Sequence, residues 1–159
     1  MTSPNSAASA AAPYIGSDLQ VGQDVYFVWH HGAIWRGPVL EVRVNPSAPK
    51  DPSIKIGTPD AYLYIDACYM GCFQSLEAIN AALSCTSSFQ PSRAGYVGTI
   101  RFKPNSNRSP RDIWWSQPVG SAKLAEELAA MRIRQLVASV TDVRNRAQVV
   151  KRGPKGPST

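Results

Sequence analysis

The chain has 159 residues, 43% of them hydrophobic, and a formal charge of +6. That length suits one domain with appendages. No apolar run reaches the roughly 18–20 residues a membrane span needs, so no membrane partner is expected. The first 13 residues lack the basic start and apolar core of a signal peptide, and Cys68, Cys72 and Cys85 form no disulfide framework, so a cytoplasmic protein, or one carried within a virion, is expected.

Residues 1–19 open with Ser, Ala, Pro and Asn in no period, as a flexible arm does. A hairpin over residues 21–44 follows, and the rest of the chain is organised around it. Val25, Tyr26, Phe27, Val28 and Trp29 are all β-branched or aromatic. Gly32 then supplies the residue most tolerant of positive φ. After it, Leu40, Val42 and Val44 alternate with Glu41 and Arg43, the period-2 pattern of a half-buried strand. Gly37-Pro38 predicts a bulge, a sharp bend or an edge inside this second strand.

Three prolines in residues 45–53 predict an extended loop. Residues 53–58 and 61–69 read as the third and fourth strands, the latter with Tyr62, Tyr64 and Asp66 on one face. The period then changes: Leu76, Ile79, Asn80 and Leu83 predict a short helix over residues 75–84, with Ser75 as N-cap. Residues 84–95 read as a polar loop and residues 96–103 as a further strand, from which Arg101 and Lys103 project together. A second loop, residues 104–110, precedes the apolar anchor Ile113-Trp114-Trp115.

Ser121 caps a final helix of good helix formers, placed at residues 121–143. Leu124, Leu128 and Met131 share one face, whereas Ile133, Leu136, Val137 and Val140 fall on roughly the opposite one. Either the helix ends near Arg132 and a strand follows, or one helix leaves the body and offers Ile133, Leu136, Val137 and Val140 to a second copy or a larger assembly. The expected class is therefore mostly β with helices (α+β). A small barrel body over residues 20–120 carries a capping helix, and the C-terminal helix and a basic flexible tail over residues 144–159 follow.

Enzyme chemistry finds little support. No G-x-S-x-G, Walker, G-x-G-x-x-G or H-E-x-x-H pattern occurs. Cys68-x3-Cys72 with His30 and His31 holds the atoms of a Cys2His2 zinc site, but not the usual knuckle spacing. Nothing places a histidine beside a cysteine as catalytic base. No catalytic residue, metal or cofactor is assigned.

Charge is the more informative signal. Arg93, Arg101, Lys103, Arg108 and Arg111 fall in one acid-free segment, and Arg144, Arg146, Lys151, Arg152 and Lys155 in another. The remainder sets seven basic residues against all eleven acids. These ten cations are the candidate phosphate contacts of a nucleic-acid-binding protein of low sequence specificity, with Tyr62, Tyr64, Trp114 and Trp115 available for base stacking. The alternative is a protein-interaction module acting through the C-terminal helix.

The stretch VGQDVYFV followed by GAIWRGPVLEVRV resembles the opening hairpin of SH3-like small barrels, the group that includes KOW and Tudor modules. AIWRGPV is also similar in outline to type II dihydrofolate reductases, which are SH3-like tetramers. Their Val-Gln-Ile-Tyr active-site strand has as its nearest counterpart Leu63-Tyr64-Ile65-Asp66, which lacks it, so that activity is not carried over. A strand-rich barrel followed by a short helix is similar to many small proteins of phages and plasmids, which implies an accessory role.

Overall fold

The structure, a computed structural model, describes residues 19–29, 32–66, 70–104 and 108–145. The expected N-terminal arm up to residue 18, His30, His31, Cys68 and residues 146–159 of the tail lie outside the described residues.

β1 (Asp24–Val28) and β2 (Ile34–Asn45) form the expected antiparallel hairpin. Gly32 has a φ of +79°, and a Cβ there would stand 3.0 Å from the Ile113 carbonyl oxygen, so glycine is required for both conformation and space. β2 runs through Gly37-Pro38 unbroken and changes partner there. Residues up to Pro38 pair with β1; from Val39 the strand pairs with β3 (Ala48–Thr58). Proline, which has no N–H to donate, stands at the end of the first ladder. The register slips just beyond it, between Val39 and Glu41. A Cβ on Gly37 would lie 2.8 Å from Ile56 Cγ2 and 3.1 Å from Val143 Cβ, so the bend closes only over a bare backbone. β4 (Ala61–Asp66) completes a sheet of order β1-β2-β3-β4.

The hairpin is apolar on both faces because each face meets a different core. Val25, Phe27 and Trp35 pack with Ile54, Ile56, Ile65 and Val143, while Val28 and Ile34 pack with Phe73, Ile79, Ile100, Phe102 and Leu136. Phe73 is stitched to β1 by two 2.8 Å main-chain hydrogen bonds with Tyr26. It leads into α1 (Leu76–Ala81), where the Ser75 hydroxyl accepts from the Ala78 N–H at 3.1 Å as expected.

The helix expected over residues 75–84 is shorter than that, and the polar loop expected after it is a strand. β5 (Leu83–Gln90) pairs along its whole length with β6 (Gly95–Phe102), and β7 (Arg111–Trp115) adds to the other edge of β6. β5 hides in the sequence because one alternating set, Leu83, Cys85, Ser87 and Phe89, includes a serine and ends on an exposed phenylalanine, while the other set is all Ser, Thr and Gln. A 3-10 turn, Pro91–Arg93, links the two strands through Ala94 in the left-handed region (φ 54°).

α2 (Ala122–Ala138) starts at the expected cap, with the Ser121 hydroxyl accepting from the Leu124 N–H at 3.1 Å. It neither stops near Arg132 nor leaves the body, but lies across β5 and β6. The expectation that Ile133, Leu136, Val137 and Val140 are held out to a partner is corrected accordingly. Leu136 is buried, and the other three pack, partly buried, against the second core. The buried stripe is completed by Ala125 and Ala129. These small side chains let the helix approach β6 at Gly98, where an added Cβ would collide with the Ala125 carbonyl and lie 3.4 Å from Ala129 Cβ. The Gly98 backbone is satisfied sideways: its N–H donates to Ser116 Oγ and its carbonyl accepts from the Ser116 N–H, both at 2.8 Å. Beyond α2, β8 (Thr141–Asp142) adds in parallel to β2 beside Trp35 and Arg36.

The mostly β, α+β class therefore stands. Neither sheet closes on itself among the described residues. Where the sequence predicts one barrel capped at its end, the chain builds two sheets around two cores, with α1 and α2 packed in the second.

Candidate nucleic-acid interface

The face of β5-β6-β7 turned away from α2 is an open groove of about 690 Å³. Strand alternation lays its side chains out in cross-strand rows: Ser88 beside Val97, Thr86 beside Thr99 and Trp115, Ser84 beside Arg101 and Asp112. Val97 and Thr99 form a buried floor, and the walls are hydroxyls. Arg93 reaches in from the 3-10 turn. Arg101 stands beside Asp112, with Nε donating to Oδ1 at 3.3 Å. Trp115 is 56% exposed at the groove edge. β7 thus splits the predicted apolar anchor, with Ile113 buried, Trp114 half-buried in the second core and Trp115 turned outward.

The candidate cations are dispersed more widely than their sequence clustering suggests. Arg93 and Arg101 share the groove, while Lys103 lies exposed past the end of β6 and Arg108 exposed in the loop before β7. Arg111 is half-buried, its guanidinium 5.6 Å from the Phe102 ring centroid, so it packs against the core. Arg146, Lys151, Arg152 and Lys155 lie outside the described residues.

Arg144, read as the first cation of a free tail, is engaged. It donates to Asp142 through Nε and Nη2 at 2.9 and 2.7 Å, and Arg36 reaches the same carboxylate at 3.4 Å. The Arg144 hydrogen bonds, with Arg36 behind them, hold the Asp142 carboxyl down to about 2 despite its partial burial. Arg36 in turn is raised by its hydrogen bonds to Tyr26 and then to Asp142. The acid-free segment that starts at Arg144 leaves out Asp142 two residues before it, and Arg36, 106 positions away, joins the pair only through the fold.

Tyr62 and Tyr64, the other stacking candidates, stand on the first sheet, away from the groove. Their rings meet edge to face at 5.5 Å. Lys55 Nζ lies 3.9 Å from the Tyr62 centroid, and the Arg43 guanidinium 4.8 Å from that of Tyr64, where it also donates to the hydroxyl at 3.0 Å and to Glu41. The cluster satisfies itself, and neither tyrosine offers two bare faces to a base.

Of the zinc candidates, Cys72 is buried in the first core, and burial pushes its thiol up to about 12, the opposite of what a ligand or nucleophile needs. Among the described residues no group of three His, Cys, Asp or Glu side chains could hold a metal ion, and no helix is long and apolar enough to cross a membrane. No protein-family model, no curated protein and no solved structure matches the chain.

Proposed function

We propose that this is a small non-enzymatic nucleic-acid-binding accessory protein that grips the phosphate backbone in the β5-β6-β7 groove, assisted by the cations of residues 146–159. The observation that carries this reading is that Arg93 and Arg101 both line one hydroxyl-rich groove beside an exposed indole. Guanidiniums and hydroxyls are the usual partners of phosphate oxygens, and such contacts confer affinity without sequence preference. Within this reading, the bent first sheet, with β2 shared between two ladders, is the SH3-like element that the hairpin resembles.

The test is anisotropy titration against labelled oligonucleotides at low and moderate salt. Affinity should fall with salt at a log–log slope of about −0.7 to −0.9 per phosphate engaged, and Arg93→Ala with Arg101→Ala should shrink the slope by roughly 1.5. Removing residues 146–159 should weaken all sequences alike, while leaving Arg144 on Asp142. No binding at about 100 µM protein in low salt refutes the proposal, since non-specific binders reach roughly 10⁻⁴–10⁻⁶ M even at physiological salt.

One observation favours a second reading, docking on another copy or a larger assembly. Leu124 and Met131, seven residues apart on α2, are 44% and 46% exposed. In that reading the interface is the face of α2 opposite the one predicted. Light scattering on Leu124→Glu with Met131→Glu tests it: a mass unchanged from an already monomeric wild type removes self-association.

A further inference from the structure

We infer that the groove selects single-stranded nucleic acid, with one unpaired base stacked on Trp115 between phosphates held at Arg93 and Arg101. The inference rests on the nucleic-acid reading and adds the strandedness of the ligand.

Three features of the groove point this way. Trp115 is 56% exposed, although its neighbours on β7, Ile113 and Trp114, are buried and half-buried. Its register partner is Thr99, so the indole borders the buried floor of the groove and is not part of either core. An indole so placed can stack on a base only if that base has a free face, and bases inside a duplex have none. The groove is also narrow. It spans three strands, two spacings of about 4.8 Å, so roughly 10 Å separates its rims, room for one nucleic-acid backbone. Finally, the charges are sparse and placed apart. Arg93 lies beyond the β5–β6 turn, and Arg101 lies in the row next to Trp115. Asp112 orients Arg101 through Nε and disfavours any further phosphate at that rim. A groove with two cations, one acid and one indole draws on stacking as much as on charge, which is the balance of single-strand binders.

The experiment separates base from backbone. The full chain is titrated with three probes of equal length: an oligothymidine, an abasic oligonucleotide of the same backbone, and a duplex. Wild type should bind the oligothymidine about tenfold tighter than the abasic strand. Trp115→Ala should abolish that ratio while leaving abasic affinity unchanged, and Trp115→Phe should keep most of it. Arg93→Ala with Arg101→Ala should weaken both single strands by the same factor. Equal wild-type affinity for the oligothymidine and the abasic strand, a ratio that survives in Trp115→Ala, or a duplex bound as tightly as the oligothymidine would each overturn the inference and leave phosphate binding standing. Failure of every probe to bind would refute the nucleic-acid reading itself.

Discussion

Replacing Gly98 by alanine adds one methyl group at the closest approach of helix and sheet. The new Cβ would run into the carbonyl of Ala125 and stand 2.8 Å from its carbonyl carbon, where real Cβ contacts essentially never come within 3.0 Å. The obstacle is backbone, so no rotamer change relieves it, and α2 must lift away from β6. Lifting it loosens Ala125, Ala129 and Leu136 together. Overpacking a tight core costs about 1–3 kcal/mol, and a rigid obstacle places this substitution near 3. For a chain of this size each kcal/mol moves the melting temperature by about 2–4 °C, giving a drop of roughly 6–12 °C by calorimetry or far-UV circular dichroism. Gly120→Ala is the matched control: it stands at the approach to the same helix with nothing within 4 Å of its added Cβ. If the two variants melt within a degree of each other, α2 does not seat on Gly98.

Asp142→Asn should cost about 1–2 kcal/mol at neutral pH, allowing for solvent around guanidiniums that are 42% and 45% exposed. Because the folded carboxyl titrates at about 2, below its unfolded value, its stabilisation is complete above about pH 4 and disappears as the pH falls through 2, so wild type and variant should converge in acid. A gap in stability that persists at pH 2 would remove the carboxylate as its source. Leu136→Asp should unfold the protein rather than merely change its oligomeric state, whereas Met131→Asp should move stability by about 0.5 kcal/mol or less; denaturant midpoints distinguish the two. Cys72 should resist iodoacetamide at neutral pH until denaturant is added, as read by peptide mapping, and its alkylation in the native state would contradict its place in the core.

What the sequence determined by itself are features whose physics is local. The hairpin read over residues 21–44, the positive φ at Gly32 and the caps at Ser75 and Ser121 each depend on residues a few positions apart, and each is present, the hairpin as Asp24–Val28 and Ile34–Asn45. The features that matter for function are non-local. LSCTSSFQ becomes a strand because β6 supplies its ladder, not because its own side chains favour one. The helix face read as free is the buried one, because alanines were counted for their propensity rather than for the close approach to Gly98 that their size permits. Arg93 and Arg101 line one groove only after a turn and a pairing register have formed, and the same register gives Arg101 its Asp112 and sets Trp115 in the groove. Charge in a sequence is additive, but whether a cation contacts solvent, an aromatic ring or a carboxylate depends on which groups the fold sets against it. Arg111 leaves the apparent basic segment by packing on Phe102 across the β6–β7 pairing, whereas Arg144 turns back on Asp142, a local partner two residues before the segment begins.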